Sequence, residues 1–328
     1  MNNDSKFTLI VIGCVIFFIS LIGMIIYGYK TFAISPLDQK AEKDYSHHFA
    51  LVAEENENDY WRLVKKGAEE SAEKNHVNLE YVAPKKADND ELNRLLDRMI
   101  AAKMDGIIVQ GIKGQRFKDL VHKSVERDIP IVTVDTDAKA SERKAYVGTN
   151  NIEAGKLLGK SLLENTSGEQ YVGIITGRNE AINQQERIQG FREMVKGHKR
   201  IHIIAIRESH ITKNGATIAS YKLLKQYPKI NAFVGMSALD GPGIVEGVKE
   251  VAPFKNTYVL AFDTLPETMQ LMKAGKIDAT VAQYPEQMGN DAVEVLIRLQ
   301  GKDLLDNLIY TKTNIITKED VQRQDKTQ

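Results

Sequence analysis

The stretch from Gly106 to Asp137, GIIVQGIKGQRFKDLVHKSVERDIPIVTVDTD, decides the fold. It opens on Gly106-Ile107-Ile108-Val109 and returns, after one helix, to a second apolar run at Ile129–Val134. Apolar strands without polar alternation, separated by a helix, imply a parallel sheet covered on both faces. The unit recurs in both directions. Upstream lie the strand Phe49–Ala53 and a helix with Trp61, Val64, Ala68 and Ala72 at helical spacing. The strand Leu79–Val82 follows, then a helix with Leu92, Leu95, Leu96 and Met99 at i, i+3, i+4 and i+7. Downstream the rhythm restarts: strands Tyr171–Thr176, Ile201–Ile206, Ala232–Val234 and Tyr258–Phe262 alternate with helices near 151–164, 182–196, 213–226 and 241–250. Two such runs predict an α/β protein with two doubly wound parallel-sheet lobes. Ligands of such sheets sit outside the carboxyl ends of the strands.

Composition supports this and excludes several classes. The 328 residues suffice for about two domains. Lys+Arg and Asp+Glu both number 44, so the formal charge is zero, which argues against a nucleic-acid binder with a basic face. A single cysteine excludes a disulfide framework and a cysteine-rich zinc site.

The N-terminus stands apart. Phe7–Tyr29, FTLIVIGCVIFFISLIGMIIYGY, holds 23 residues without a charge. As a helix it would span about 34 Å, enough for a hydrocarbon core of about 30 Å. Residues 1–30 are therefore read as a tail and transmembrane anchor, and the polar stretch 31–46 with Pro36 as a linker. Two rivals stay open: a signal peptide cleaved after Thr31-Phe32-Ala33, and a lipoprotein box at Val11-Ile12-Gly13-Cys14. Lys6 on one side and Lys30, Lys40 and Lys43 on the other leave the orientation unassigned by charge.

The loops after the strands collect groups suited to a polar, uncharged ligand. After the first strand come Asn58, Tyr60 and Trp61; after the third, Gln110; after the fourth, Asp135, Thr136 and Asp137. The second half adds Arg187 on a helix, Ser237, Asp263 and Gln283. Aromatic faces pack on the C–H surface of a polyhydroxylated ring, while carboxylates, amides and guanidinium take its hydroxyls. Taken singly, a post-strand Asp reads as a helix cap and Trp61 as core. Glu54, Glu55 and Glu57 read as a solvated loop, although one of them could reach the ligand.

Val259-Leu260-Ala261-Phe262-Asp263-Thr264, followed by Lys273-Ala274-Gly275 and Ala279-Thr280-Val281-Ala282-Gln283-Tyr284-Pro285, forms a G-F-D…G…A-T-V-A-Q-x-P-like pattern. With Asn58-Asp59-Tyr60-Trp61, Ile129–Asp135 and Glu186-Arg187-Ile188-Gln189-Gly190-Phe191, it resembles the sugar-binding proteins of bacterial ABC transporters and chemoreceptors, of the ribose/xylose/galactose type. The resemblance runs from about His48 to Asp306. It implies a type I periplasmic binding protein with a three-crossing hinge. One lobe would comprise 47–149 plus 285–309, the other 150–283 plus 310–328. It also implies that Tyr60 and Trp61 stack on the sugar beside Asn58, and that Gln110, Asp135, Arg187, Asp263 and Gln283 bind its oxygens. Thr136 stands where ribose binders carry arginine, Ser237 replaces an Asn, and Ile211 falls near an expected aromatic. These departures bear on the identity of the sugar, pentose or hexose.

Other motifs carry less. Gly241-Pro242-Gly243-Ile244-Val245-Glu246-Gly247 has G-x-G-x-x-x-G spacing rather than a dinucleotide fingerprint and reads as a helix start, so no cofactor is expected. His47-His48 lacks a carboxylate cluster and reads as a solvated linker end, so no metal is expected. No residue set suggests catalysis. Anchor and binding core together predict a cell-membrane protein with one span and an extracytoplasmic domain that closes on a monosaccharide and signals to a membrane partner such as a sensor histidine kinase. The alternative is the substrate-binding component of an ABC sugar importer, acting with its permease. A transcription regulator on the same core would need a basic DNA-binding segment before residue 48, where the apolar run lies.

Overall fold

A computed structural model describes residues 3–32, 45–251 and 256–325. It divides into two compact units, Met1–Asp44 and Tyr45–Gln328. In the first, Asn3–Phe32 form one helix, α1. Among the described residues no helix is long and apolar enough to cross a membrane. The anchor expectation for Phe7–Tyr29 also covers side chains outside the described ones, which here comprise 12–13, 15–25 and 27–28.

The second unit holds two six-stranded sheets. The chain first builds β1 (His47–Val52), α2 (Asp59–Lys74), β2 (Val77–Val82), α3 (Asn89–Ala101), β3 (Gly106–Gln110), α4 (Gln115–Val125), β4 (Ile131–Val134) and β5 (Ala145–Gly148). It then crosses and builds α5 (Asn151–Asn165), β6 (Gln170–Thr176), α6 (Ile182–Val195), β7 (Ile201–Glu208), α7 (Lys213–Gln226), β8 (Ala232–Gly235), α8 (Asp240–Val251), β9 (Tyr258–Phe262), α9 (Pro266–Lys273) and β10 (Ala279–Ala282). α10 (Pro285–Gln300) and β11 (Leu308–Tyr310) return to the first lobe, β12 (Asn314–Thr317) and α11 (Lys318–Asp325) to the second.

The sheet orders are β11-β5-β4-β3-β1-β2 and β12-β10-β9-β8-β6-β7. Every pairing is parallel except that of β12 with β10. β12 departs from the parallel expectation because it enters its sheet directly from the other lobe, without a crossover helix to turn it round. Each sheet separates two apolar clusters, Trp61 and Leu296 lying on one side of the first and Leu96 and Phe117 on the other. The second sheet is sandwiched likewise between clusters containing Phe191 and Leu223.

Helix pairs meet backbone to backbone through glycine. A Cβ on Gly67 of α2 would collide with the carbonyl oxygen of Glu286 in α10, and one on Gly190 of α6 with that of Ile152 in α5. Gly243 and Gly247, from the G-x-G-x-x-x-G stretch, serve the same purpose where α8 meets α7. These close approaches fix α2 and α6, which carry Tyr60 and Arg187. His47 and His48 are not a free linker end: they begin β1, half-buried, with the His47 ring stacked on Phe49 at 5.5 Å.

Candidate functional site

Parallel strands in register bring their carboxyl ends to one edge of each sheet. Val52 lies opposite Val109, Gln110 opposite Val134, and Val134 opposite Val147. In the second sheet Ile175 lies opposite Gly235 and Phe262 opposite Val281. The loops from the two edges face each other across a cavity of about 50 Å³.

Two aspartates anchor it, one per lobe. Asp135 follows β4 at φ 62° and Asp263 follows β9 at φ 68°, the left-handed region that Asp tolerates better than most residues. Each backbone N–H donates to the neighbouring strand, Asp135 to Val147 O and Asp263 to Val281 O. The sites are thus structural counterparts in the two lobes. The Asp135 carboxylate accepts from Tyr60 Oη at 2.8 Å, Thr136 Oγ1 at 2.9 Å, Asn183 Nδ2 at 3.0 Å and Gln110 Nε2 at 3.3 Å. Tyr60 is set in place by Asn58, whose side chain caps α2 by accepting from the Tyr60 N–H at 2.9 Å. Burial, and then the Asp135 charge, push the Tyr60 phenol well above its ordinary range.

Arg187 forms the second focus. It donates to Asn151 Oδ1 at 2.8 Å, Met236 O at 2.8 Å and Gln283 Oε1 at 3.1 Å, and its guanidinium lies 3.8 Å from the centre of the Phe262 ring. Gln283 passes the connection on, donating to Asp263 Oδ1 at 2.8 Å and accepting from Thr149 Oγ1 at 2.7 Å. Thr149 and Gln283 stand in two of the interlobe crossings, so the polar chain runs through the hinge. Burial raises the Asp263 carboxyl to about 6 against the opposing pull of Arg187. Ser237 is held by Asp240, whose Oδ2 accepts from its N–H at 2.8 Å.

The expected residues do not all share one wall. Asn58, Tyr60, Trp61, Asp135, Arg187, Ser237, Asp263 and Gln283 line the main cavity, with Ile211 supplying an apolar side. Gln110 and Thr136 line an adjoining compartment instead. Trp61 is 1 % exposed and belongs to the core cluster between α2 and the sheet as well as to the cavity wall.

Of the acidic loop read as solvated with one member able to reach the ligand, Glu54 is the member that lines the cleft, where burial and then the Asp135 charge raise its carboxyl to about 7 against Arg178. Arg178 crosses from the other lobe to reach Glu54 at 3.5 Å and Asn89 at 2.9 Å. With the Asn183–Asp135 bond and the Lys139–Glu186 pair at 2.9 Å, these contacts hold the lobes together. Arg178, two residues past the end of β6, and Asn183, in the first turn of α6, escaped the sequence reading because neither belongs to one of the stretches that carry the family resemblance. The walls therefore present carboxylates, guanidinium groups and amides beside aromatic and apolar surface. This set can orient a hydroxylated neutral molecule. Among the described residues no group of three or more His, Cys, Asp or Glu could hold a metal ion.

Comparison with known proteins agrees with this geometry. A family model described as a periplasmic binding protein domain matches residues 49–303. The chain belongs to that family. The match takes in both lobes of this periplasmic binding protein domain up to the end of α10. The domain is similar to the crystal structure of GanP, a glucose-galactose binding protein from Geobacillus stearothermophilus: 45 % identity, TM-score 0.81, covering 84 % of this chain and 98 % of that one. It is also similar to a XylFII–LytSN complex at 31 % identity and TM-score 0.78, covering 84 % and 98 %. The ribose import binding protein RbsB of Salmonella typhimurium is 23 % identical over 246 residues, 75 % of this chain and 82 % of that protein.

Proposed function

We propose that this protein is a membrane-anchored, extracytoplasmic sugar-binding protein that closes on a monosaccharide and signals to a membrane partner such as a sensor histidine kinase. One observation carries the sugar-binding part: two buried aspartates in equivalent positions of the two lobes, facing one cavity with Arg187, Gln283 and aromatic side chains. Relatives named for glucose and galactose and for ribose support the same ligand class. At 45 % identity to the glucose-galactose binding protein, those hexoses are the first candidates. Thr136, which lacks the forked donor of arginine, speaks against tight ribose binding.

The 23 uncharged residues Phe7–Tyr29 support the anchor, since such a span inserts essentially irreversibly. Similarity to a chain of a XylFII–LytSN complex supports a protein partner. A ligand that binds the closed lobes better than the open ones shifts their population, and that shift is what a partner reads. The second reading, an ABC importer component, is favoured by the similarity to a ribose import binding protein. Both readings describe a binding protein rather than an enzyme.

A thermal-shift panel of aldoses on the full chain in detergent tests the ligand class. A cognate sugar at 100 times Kd adds about 2.7 kcal/mol, and no shift with any aldose contradicts the proposal. Carbonate extraction followed by N-terminal sequencing separates the two readings. A mature start at residue 34 or a lipidated Cys14 moves the weight to the importer.

A further inference from the structure

The second lobe carries a long groove outside the sugar cavity. Two adjoining hollows of about 520 and 580 Å³ share Arg192 and Lys196 as walls and run between α6 and β7. Ile188, Ile203 and Ile206 give the groove an apolar floor, and the two on β7 are only half-buried. β7 is the edge strand of its sheet, paired with β6 alone, and its eight residues extend over about 26 Å.

The rim of this groove is basic. Arg192, Lys196 and Lys199 stand exposed along it and form no ion pair among the described residues. The acid among the walls, Glu193, already accepts from Gln189 at 2.8 Å and faces Lys156 at 3.8 Å. On α2, the counterpart of α6 in the first lobe, exposed lysines are paired instead: Lys65 with Glu69 at 3.5 Å and Lys66 with Glu286 at 2.9 Å. In a chain of zero formal charge, three unpaired cations beside one apolar floor are a local excess that calls for carboxylates.

The occupant follows from charge and shape. A second copy of this chain would bring its own cations against these. A lipid surface would have to reach isoleucines that lie below the charged rim. An added strand meets an interrupted edge, because the β6–β7 register slips between Val172 and Gly173 and leaves Ile204 without a partner. We infer that the groove docks an acidic amphipathic helix of a protein partner, with its apolar face on Ile188, Ile203 and Ile206 and its carboxylates on Arg192, Lys196 and Lys199. α6 also carries Arg187 into the sugar cavity, so a partner held here rests on an element of the binding site. The inference rests on the partner reading above and gives that partner a chemistry and a place.

Fluorescence anisotropy of labelled peptides on the full chain in phosphatidylcholine nanodiscs tests it. The probe is a helical peptide with leucines at i, i+3, i+4 and i+7 and glutamates elsewhere. It is expected to bind in the micromolar range, and the same peptide with lysines for glutamates tenfold or more weakly. Arg192→Glu combined with Lys196→Glu should invert that preference, and binding of the lysine peptide then shows that the variant is folded. Lys65→Glu combined with Lys66→Glu, on α2, should leave the preference within twofold. Equal binding or no binding of the two peptides overturns the inference, as does a preference that survives reversal at Arg192 and Lys196 or is lost equally on reversal at Lys65 and Lys66. Phosphatidylglycerol vesicles that bind only while Arg192 and Lys196 are intact, with no binding of the glutamate peptide, would assign the groove to lipid and overturn it too. Each of these failures leaves the sensor and importer readings to the extraction and sequencing above.

Discussion

Replacing Arg187 by methionine tests how far the cleft depends on one buried cation. Methionine keeps an unbranched apolar stem but ends short of the guanidinium, so it removes every donor and the cation's contact with the Phe262 ring. Arg187 is 2 % exposed, so water cannot take over. Asn151 Oδ1 and Met236 O each lose a partner now held at 2.8 Å, while Gln283 Oε1 keeps Thr149 at 2.7 Å. Each stranded buried acceptor costs about 1–3 kcal/mol. Asp263 loses the charge that opposes its burial, so its carboxyl rises further from about 6. Removing one partner from a buried charged pair costs about 3–5 kcal/mol, and the two estimates agree. Urea unfolding of the full chain in detergent should show this loss with an unchanged slope, and sugar affinity should fall at least a hundredfold. A loss below about 1 kcal/mol would mean that the guanidinium's bonds contribute no net stability. Unchanged affinity would place the ligand elsewhere.

Further tests separate packing from binding and fix the proton linkage. Trp61→Ala should lower stability by about 3–5 kcal/mol and Trp61→Phe by much less, because the indole is core as well as cavity wall; denaturation read beside calorimetry distinguishes this from a pure loss of affinity. The Glu54 carboxyl, about 7 in the closed cleft, returns toward its ordinary 4.5 when the lobes part, so closure takes up a proton. Its contribution to sugar affinity is complete below 4.5 and is lost as pH rises through about 7. Calorimetry across pH should show that fall, with the limb near 7 absent in Glu54→Gln and a weaker one from Asp263 remaining near 6. Gly190→Ala forces α6 away from the Ile152 carbonyl and should cost about 1–3 kcal/mol by thermal melting, with Arg187 displaced and affinity reduced.

What the sequence revealed follows from where its signals are local. The runs around Ile107, Val132, Ile174 and Leu260 are apolar because their strands are covered on both faces, and that reads directly. β5, β11 and β12 do not: they are three or four residues long, and β11 is mostly exposed, so no periodicity forms. Asp135 and Asp263 were legible because they follow strands at once. Glu54 could not be told apart from Glu55 and Glu57, because its place in the cleft depends on Arg178 reaching it from the other lobe. Gln110 and Thr136 were found as strand-end residues, but their assignment to a separate compartment depends on the loop after β6. Trp61 carried two readings, core and ligand wall, and the structure places it in the core cluster and on the wall of the cavity.

The central claim is that the cleft between the two aspartates binds a hexose, and titration calorimetry of the full chain with glucose and galactose tests it most directly. One-to-one binding by at least one of them in the micromolar range or tighter, with ribose weaker, is the predicted result. Ribose binding more tightly than both hexoses, or no heat from any of the three at millimolar concentration, would contradict it.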